Sequence, residues 1–295
     1  MADPGEEDYR LDKQDEPIDP STLSSIAMDG LVFAHMSGES IRQYSASTLN
    51  NQHGLNRPLA YLVYGNKRGV NYYLGLEQEA MTHLCEKQED ALSSPQIREM
   101  IEPYLLNCGL INGTPDLPLA DTDSISTSQM RRLANGLNGQ RFGLLFLALP
   151  IQPSLIEEEI AITQSRLNSA ILVENPDQKR KLRHLIEAQQ QYLDELGKNI
   201  VDGYWLVGGY FFAPSRDTLI RLQSLLKASY CDTTRYDRYT TTEILGISNH
   251  IQQFGILQNL QEEQENSNRI DPRVLLRYRF AATLNTSQLS AYINV

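Results

Sequence analysis

Five histidines (His35, His53, His83, His184 and His250) and three cysteines (Cys85, Cys108 and Cys231) are the side chains best suited here to metal ligation or nucleophilic chemistry. Their spacing does not unite them. No two histidines stand four apart, the separation that puts two imidazoles on one helix face, and no cysteine neighbours a histidine at ligand spacing. A serine nucleophile on a strand-to-helix elbow would show as G-x-S-x-G, which does not occur. Phosphate binding needs glycines for a tight turn, a lysine and a magnesium-binding hydroxyl at fixed offsets, and no G-x-x-x-x-G-K-[ST] is found. Gly65-Asn66-Lys67-Arg68-Gly69 holds a lysine between two glycines, but strand-like runs on both sides make it a hairpin turn. Gly203 to Gly209 lacks the G-x-G-x-x-G spacing. Glu157-Glu158-Glu159 reads as acids at a helix start, where they complement the dipole. The expectation is that no residue here is catalytic, cofactor-binding or metal-ligating. One cluster keeps a functional reading: Lys179, Arg180, Lys181 and Arg183, beside His184, form a basic run in an acidic chain. It would contact nucleic-acid phosphates or an acidic protein surface. Without interleaved aromatics, a solvated helix face is the plainer alternative.

The elements that would carry this cluster are legible. Leu144 to Leu149 is an apolar run ending at Pro150, and Gly203 to Ala213 is a second, aromatic-rich run ending at Pro214. Tyr204, Trp205, Tyr210, Phe211 and Phe212 have the types for a base-stacking platform, but their setting favours a core strand. Between the runs, Ile156, Ile160, Thr163, Leu167 and Ala170 recur at steps of three and four. After Asn175-Pro176-Asp177, the sequence Leu182, Ile186, Gln189, Leu193, Leu196 and Ile200 repeats that rhythm. One stripe per helix and a short turn predict an antiparallel helical hairpin over 154–200, too long to lie on a small sheet and so projecting from it. Ser154 to Glu157 fits a capping box at its start.

Elsewhere, Leu59 to Tyr64 and Val70 to Leu76 predict a β-hairpin with both faces partly covered. Leu76 to Leu92 and Ile97 to Leu105 read as helices, Asn107 to Asp123 as loop, and Ser128 to Leu137 as a short helix before a strand at Phe142 to Leu149. Thr218 to Tyr230 is an amphipathic helix with Leu219, Leu222, Leu225 and Leu226 inward. Cys231 to Thr242 reads as polar connection, and Glu243 to Gln264 as helical. A strand follows from Val274 to Phe280, and a closing helix from Thr286 to Ile293. The fold expected is α+β: a mixed or antiparallel sheet with packed helices and the projecting hairpin.

The formal charge of −11 over 295 residues is uneven. Residues 1–20 hold eight acids against Arg10 and Lys13, with three prolines, so 1–25 reads as a disordered acidic tail. It would solubilise the chain, repel nucleic acid or occupy a basic surface on a partner. Residues 26–140 then form one α+β subdomain and 141–295 a second, carrying the hairpin. Few, scattered cysteines and no signal or membrane-spanning run fit a cytoplasmic protein, leaving peripheral docking open.

Asp202 to Ala213 with the leucine-rich helix after it, and Ala281 to Ile293, resemble the region before the motor of conjugation-type (type IV secretion) and related ATPases of the HerA–FtsK superfamily. In that family a strand, an Asn-Ser-like turn and a short helix lead into the motor. The chain reaches Val295 about where the motor would begin, so the family's nucleotide-binding residues have no counterparts here. The resemblance implies a non-catalytic assembly and docking region of an ATP-driven DNA or protein translocase. ATP and magnesium would belong only to a motor domain, and the partners would be further copies or other proteins. A self-standing scaffold that binds proteins through the hairpin is the second reading, and an enzyme with a site assembled from scattered residues the third.

Overall fold

Phe142–Pro150 and Tyr204–Ala213 contain no charged residue, and large apolar side chains fill successive positions. That pattern suits strands covered on both faces. In the computed structural model, which describes residues 23–28, 30–36, 46–84, 91–113, 115, 129–172, 176–230, 239–259 and 280–293, they lie side by side as β7 and β8. The other strands are β1 (Leu23–Ala27), β2 (Leu31–Met36), β3 (Leu59–Asn66), β4 (Gly69–Glu77), β5 (Ala91–Ser93), β6 (Asn107–Gly113), β9 (Tyr239–Glu243), β10 (Gly255–Asn259) and β11 (Ala282–Asn285). Nine of them make one antiparallel sheet in the order β5-β2-β4-β3-β7-β8-β6-β9, with β11 also on β8. β1 and β10 form a separate two-stranded ribbon.

β7 takes one edge of β8 from Trp205 to Phe212. The other edge is shared end to end: β11 pairs with Tyr204 to Val207, and β6 with Gly209 to Ala213. Gly208 falls at the joint. A Cβ there would stand 3.3 Å from both the Ile256 side chain and the Tyr210 hydroxyl, so the glycine answers to close approach.

The helices divide between the two faces. On the first, α1 (Ala46–Gly54), α2 (Gln78–Leu84), α4 (Gln129–Gly136), α7 (Arg216–Tyr230) and α9 (Thr286–Ile293) supply Leu49, Met81, Leu133, Leu222 and Leu289 to a core with Tyr61, Phe146, Trp205 and Phe211. On the second, α3 (Ser94–Ile101), α8 (Ser248–Gln252) and the β1–β10 ribbon place Ile97, Ile251, Ile256 and Leu257 against Leu62, Leu145, Tyr210 and Phe212. Two further helices, α5 (Pro153–Ile171) and α6 (Pro176–Asp202), join this second core. The architecture is α+β, a large antiparallel sheet with packed helices. Among the described residues no helix is long and apolar enough to cross a membrane.

Several sequence expectations change. β4 runs to Glu77, α2 ends at Leu84 and Ala91–Ser93 is a strand, so Leu76 to Leu92 is not one helix. Asn107–Gly113, expected as loop, and Tyr239–Glu243, expected as connection, are both sheet strands recruited along β8 and β6. The described part of the stretch expected as helical from Glu243 to Gln264 holds the five-residue α8 and then β10, while 260–264 lies outside the described residues. Leu23–Ala27, overlapping the expected tail, is the ribbon strand β1, while 1–22 lies outside the described residues. The expected strand at Val274 to Phe280 lies outside them except for Phe280, and the closing strand is Ala282–Asn285. The proposed boundary at 140/141 falls within one continuous sheet, since β3 pairs with β7 and β6 lies between β8 and β9.

The outer edge of β9 is occupied at its centre. Gln223 Nε2, from α7, donates to the Thr241 carbonyl at 2.6 Å, which blunts edge-to-edge pairing there. At the start of β8, Gly203 adopts φ +76°, and a Cβ would meet Thr286 Oγ1 at 2.9 Å. Trp205 Nε1 donates to that hydroxyl at 3.1 Å. α9 opens with a reciprocal cap: Gln288 N–H donates to Asn285 Oδ1 at 2.8 Å, and Asn285 N–H to Gln288 Oε1 at 2.9 Å.

The ribbon is tied to the sheet by one buried phenol. Tyr210 Oη donates to Gly255 O at 2.5 Å and accepts from Leu257 N–H at 3.1 Å. Tyr210→Phe leaves both backbone groups buried without that partner, and urea unfolding should show a loss of about 1–3 kcal/mol.

Candidate functional site

α5 and α6 lie between the two apolar runs and pack against each other. They enter and leave the sheet side by side, because Ile151 N–H donates to Tyr204 O at 2.8 Å. α5 starts two residues earlier than the capping box at Ser154 requires. Gln152 is its N-cap and Pro153 takes the first helical position, where its fixed φ suits the turn and its missing N–H costs nothing. Ser154 is therefore inside the helix, and Glu157 to Glu159 lie beyond the first turn rather than on its dipole.

Glu159 is the surprise. It is 1% exposed, facing α6, with Tyr192 Oη donating to its Oε1 at 3.5 Å. Thr163 is also buried nearby along the stripe, and Leu167 follows. The seam therefore buries a carboxylate beside the Thr163 hydroxyl. Below them, Ile156 and Leu196 are fully buried in the second core, with Leu155, Ile160, Tyr192 and Ile200 against it. All described residues of the pair that join that core lie within 155–160 and 192–200. The opposite end exposes Ile171 (46%) and Leu172 (77%).

Of the basic cluster, Lys179, Arg180 and Lys181 occupy the first two turns of α6, and Arg183 follows. Glu159 opposite Tyr192 sets a register that brings Lys179 to Lys181 level with Ala170 to Leu172, at the exposed end. The Arg183 side chain is 77% exposed and its Nε lies 3.2 Å from Glu187 Oε1, an i, i+4 pair on the surface. Such pairs contribute about 0.3–0.5 kcal/mol, so Arg183 can exchange partners at little cost. An open hollow of about 560 Å³ runs along α6 beside Leu193, Asp194, Gly197, Lys198, Val201 and Asp202. Its described lining residues all come from one helix, so among the described residues it does not gather polar groups from several elements as a substrate pocket does.

The residue types that could do chemistry are engaged structurally. His53 Nε2 lies 3.0 Å from Tyr204 N and 2.9 Å from Tyr204 O, and its ring meets Trp205 edge-on at 5.2 Å. His35 packs edge-on against Tyr73. His250 Nδ1 is 3.1 Å from Ser25 Oγ, and burial pushes its pKa down. Among the described residues no carboxylate orients that imidazole, so the pair lacks the third member of a hydrolytic triad and joins α8 to β1 instead. The side chains of His83 and His184, and Cys85 and Cys231, lie outside the described residues. Among the described residues no three metal-ligating side chains cluster.

Cys108 is buried on β6, donates to Leu105 O at 3.4 Å, and burial pushes its thiol up to about 12. Thiolate is the reactive form, so at pH 8 native Cys108 should resist maleimide in a Cys85→Ser/Cys231→Ser background and react on denaturation. Rapid native labelling would contradict this burial. The seam makes a second forecast. Glu159→Leu should leave urea stability unchanged or raised, because an apolar side chain avoids desolvating a carboxylate. Leu196→Ala should lower it by about 2–5 kcal/mol. A large loss for Glu159→Leu would show instead that the carboxylate holds the two helices together.

No protein-family model matches this chain and no curated protein matches it, so the functional reading rests on the geometry of the paired helices and the sequence resemblance.

Proposed function

We propose that the chain is a non-catalytic assembly and docking module, with α5 and α6 forming a projecting hairpin arm that meets a partner. The observation carrying this reading is the asymmetry of the helix pair. Its inner end is rooted in the second core through Ile156 and Leu196, while its outer end exposes Ile171 and Leu172 beside a basic run. At 1.5 Å per residue, helices of 19 and 27 residues extend about 28 and 40 Å, much farther than a sheet-covering helix needs.

The resemblance narrows the setting to an ATP-driven DNA or protein translocase of HerA–FtsK type. The module would arrange subunits and dock partners, leaving ATP and magnesium to a motor domain. The strand–cap–helix sequence from Ala282 to Ile293, which would lead toward such a motor, supports that placement. A self-standing scaffold that binds protein through the same arm is the second reading, supported by the same exposed end.

Light scattering over a concentration series, with and without a short DNA duplex, tests the proposal. The translocase reading expects a discrete ring-sized assembly and no ATP hydrolysis above background. Removing 164–188 and closing the shortened pair with a Gly-Asn-Gly turn should keep the fold, because Ile156 and Leu196 remain, yet abolish partner-dependent assembly. A monomer at every concentration, with ATP turnover lost on mutating a local site, would sink both readings.

A further inference from the structure

We infer that the end of the sheet formed by the β3–β4 turn, the start of β7 and α4 binds the phosphate backbone of a nucleic-acid duplex. This surface is separate from the paired helices and needs neither reading of them. Two acid-free stretches meet there. Residues 58–76 and 129–156 contain no aspartate or glutamate, although the whole chain carries −11. They contribute Lys67, Arg68, Arg131, Arg132 and Arg141, all exposed.

The fold gathers these five side chains. Lys67 and Arg68 fill the turn between β3 and β4, where Arg68 N–H donates to Asn66 Oδ1 at 2.7 Å. Gly65 pairs with Phe142, so Arg141 enters β7 beside Asn66, one strand spacing of about 5 Å away. Burial and the Tyr104 hydroxyl raise the pKa of Tyr64 on β3, and the Arg141 guanidinium acts against that rise, close to the phenol on the second face. Burial likewise raises the pKa of Tyr72 on β4, opposed by Arg131 of α4 on the first face. Cations therefore flank the turn on both faces, with Lys67 and Arg68 at its tip. Their charge is not neutralised locally. Arg57, Arg183 and Arg216 each meet a glutamate, whereas among the described residues no ion pair holds Lys67, Arg68, Arg132 or Arg141.

The make-up of this surface selects the partner. Protein interfaces are anchored by large apolar or aromatic groups at their centre. None of the exposed large apolar side chains among the described residues belongs to these two stretches. Tyr64 and Tyr72 are half-buried, packed on Tyr104 and Tyr61 rather than standing clear to stack on a base. The same lack argues against a lipid surface, where apolar side chains enter the headgroup layer. Charge without an apolar anchor suits a duplex backbone, which carries one phosphate per about 1.7 Å of axis and binds through counterion release. β7 runs nine residues, about 30 Å, from this end to the root of the helix pair. A duplex held here leaves the pair clear at the opposite end of the strand.

Fluorescence anisotropy of a short labelled DNA duplex with the full chain, over a salt series, tests the inference. About three to five phosphate contacts give a slope of log K against log salt of about −3 to −4.5. K67E/R68E/R141E should weaken low-salt binding by about tenfold or more and flatten the slope by about 2 to 3, with the urea midpoint unchanged. R68K/R141K should keep both affinity and slope, because a lysine serves a phosphate as a point charge. Removing 164–188 should leave duplex affinity unchanged. No duplex binding at low salt, binding indifferent to K67E/R68E/R141E, or binding lost with 164–188 would each overturn the inference. So would phosphatidylserine vesicles that bind the chain through these residues when the duplex does not. Assembly seen by light scattering would survive every one of these results, so the two readings fail separately.

Discussion

Everything in this molecule is arranged around the burial of β8. All ten of its residues are buried, and both of its edges are paired. A strand in that position cannot present one face to water, so both faces must be covered. Its side chains alternate accordingly: Trp205, Val207 and Phe211 enter the first core, and Leu206, Tyr210 and Phe212 the second. Because β6 is too short to serve the whole free edge, β11 must complete it, and α9 follows β11 onto the first face. The antiparallel order of the sheet then places the end of β7 beside the start of β8, and the helix pair emerges where both its ends are fixed by strands.

This dependence explains which elements were legible. β7, β8 and the β3–β4 hairpin carry their instructions locally, as apolar runs long enough to specify burial on two faces. α7 and α9 likewise show their covered stripes. β6 and β9 do not. Asn107–Gly113 contains two glycines and two asparagines, and Tyr239–Glu243 contains three threonines, compositions that suit a turn as readily as a strand. Their extended state comes from the unpaired edge they meet. Gly109 is the telling residue: it reads as a chain-breaker, yet a Cβ there would stand 2.6 Å from Thr242 O, so the glycine allows close strand contact. Short strands such as β5 and β10 are fixed by long-range pairing for the same reason.

The candidate site was legible in outline and opaque in detail. Helical rhythm gave both long helices, and the charge pattern gave the basic run near the turn. Neither could give Glu159. Three consecutive glutamates after Pro153-Ser154 resemble a charged first turn, and only the rotation of the helix about its axis separates the exposed Glu157 and Glu158 from a buried Glu159. That rotation is set by Ile156 entering the second core, which no local pattern specifies. Likewise, Ser25 and His250 are 225 residues apart and meet only because the ribbon closes.

The two ends of the helix pair obey opposite physical demands. At the inner end, Ile156 and Leu196 exclude water and fix the pair to the sheet. Along the same seam a buried carboxylate and the Thr163 hydroxyl interrupt the apolar contacts of Ile156, Ile160 and Leu167, so the helices gain less from staying together while their direction is still held at the root. A fully apolar stripe would make the pair stiffer, but it would also make an opened or misregistered pair an exposed hydrophobic surface. Polar groups in the seam lower that hazard and make alternative registers costly, because a shifted pairing would bury Glu159 against side chains that cannot hydrogen-bond it. The pair thus has its geometry fixed at the start of β8, the strand on which both cores converge.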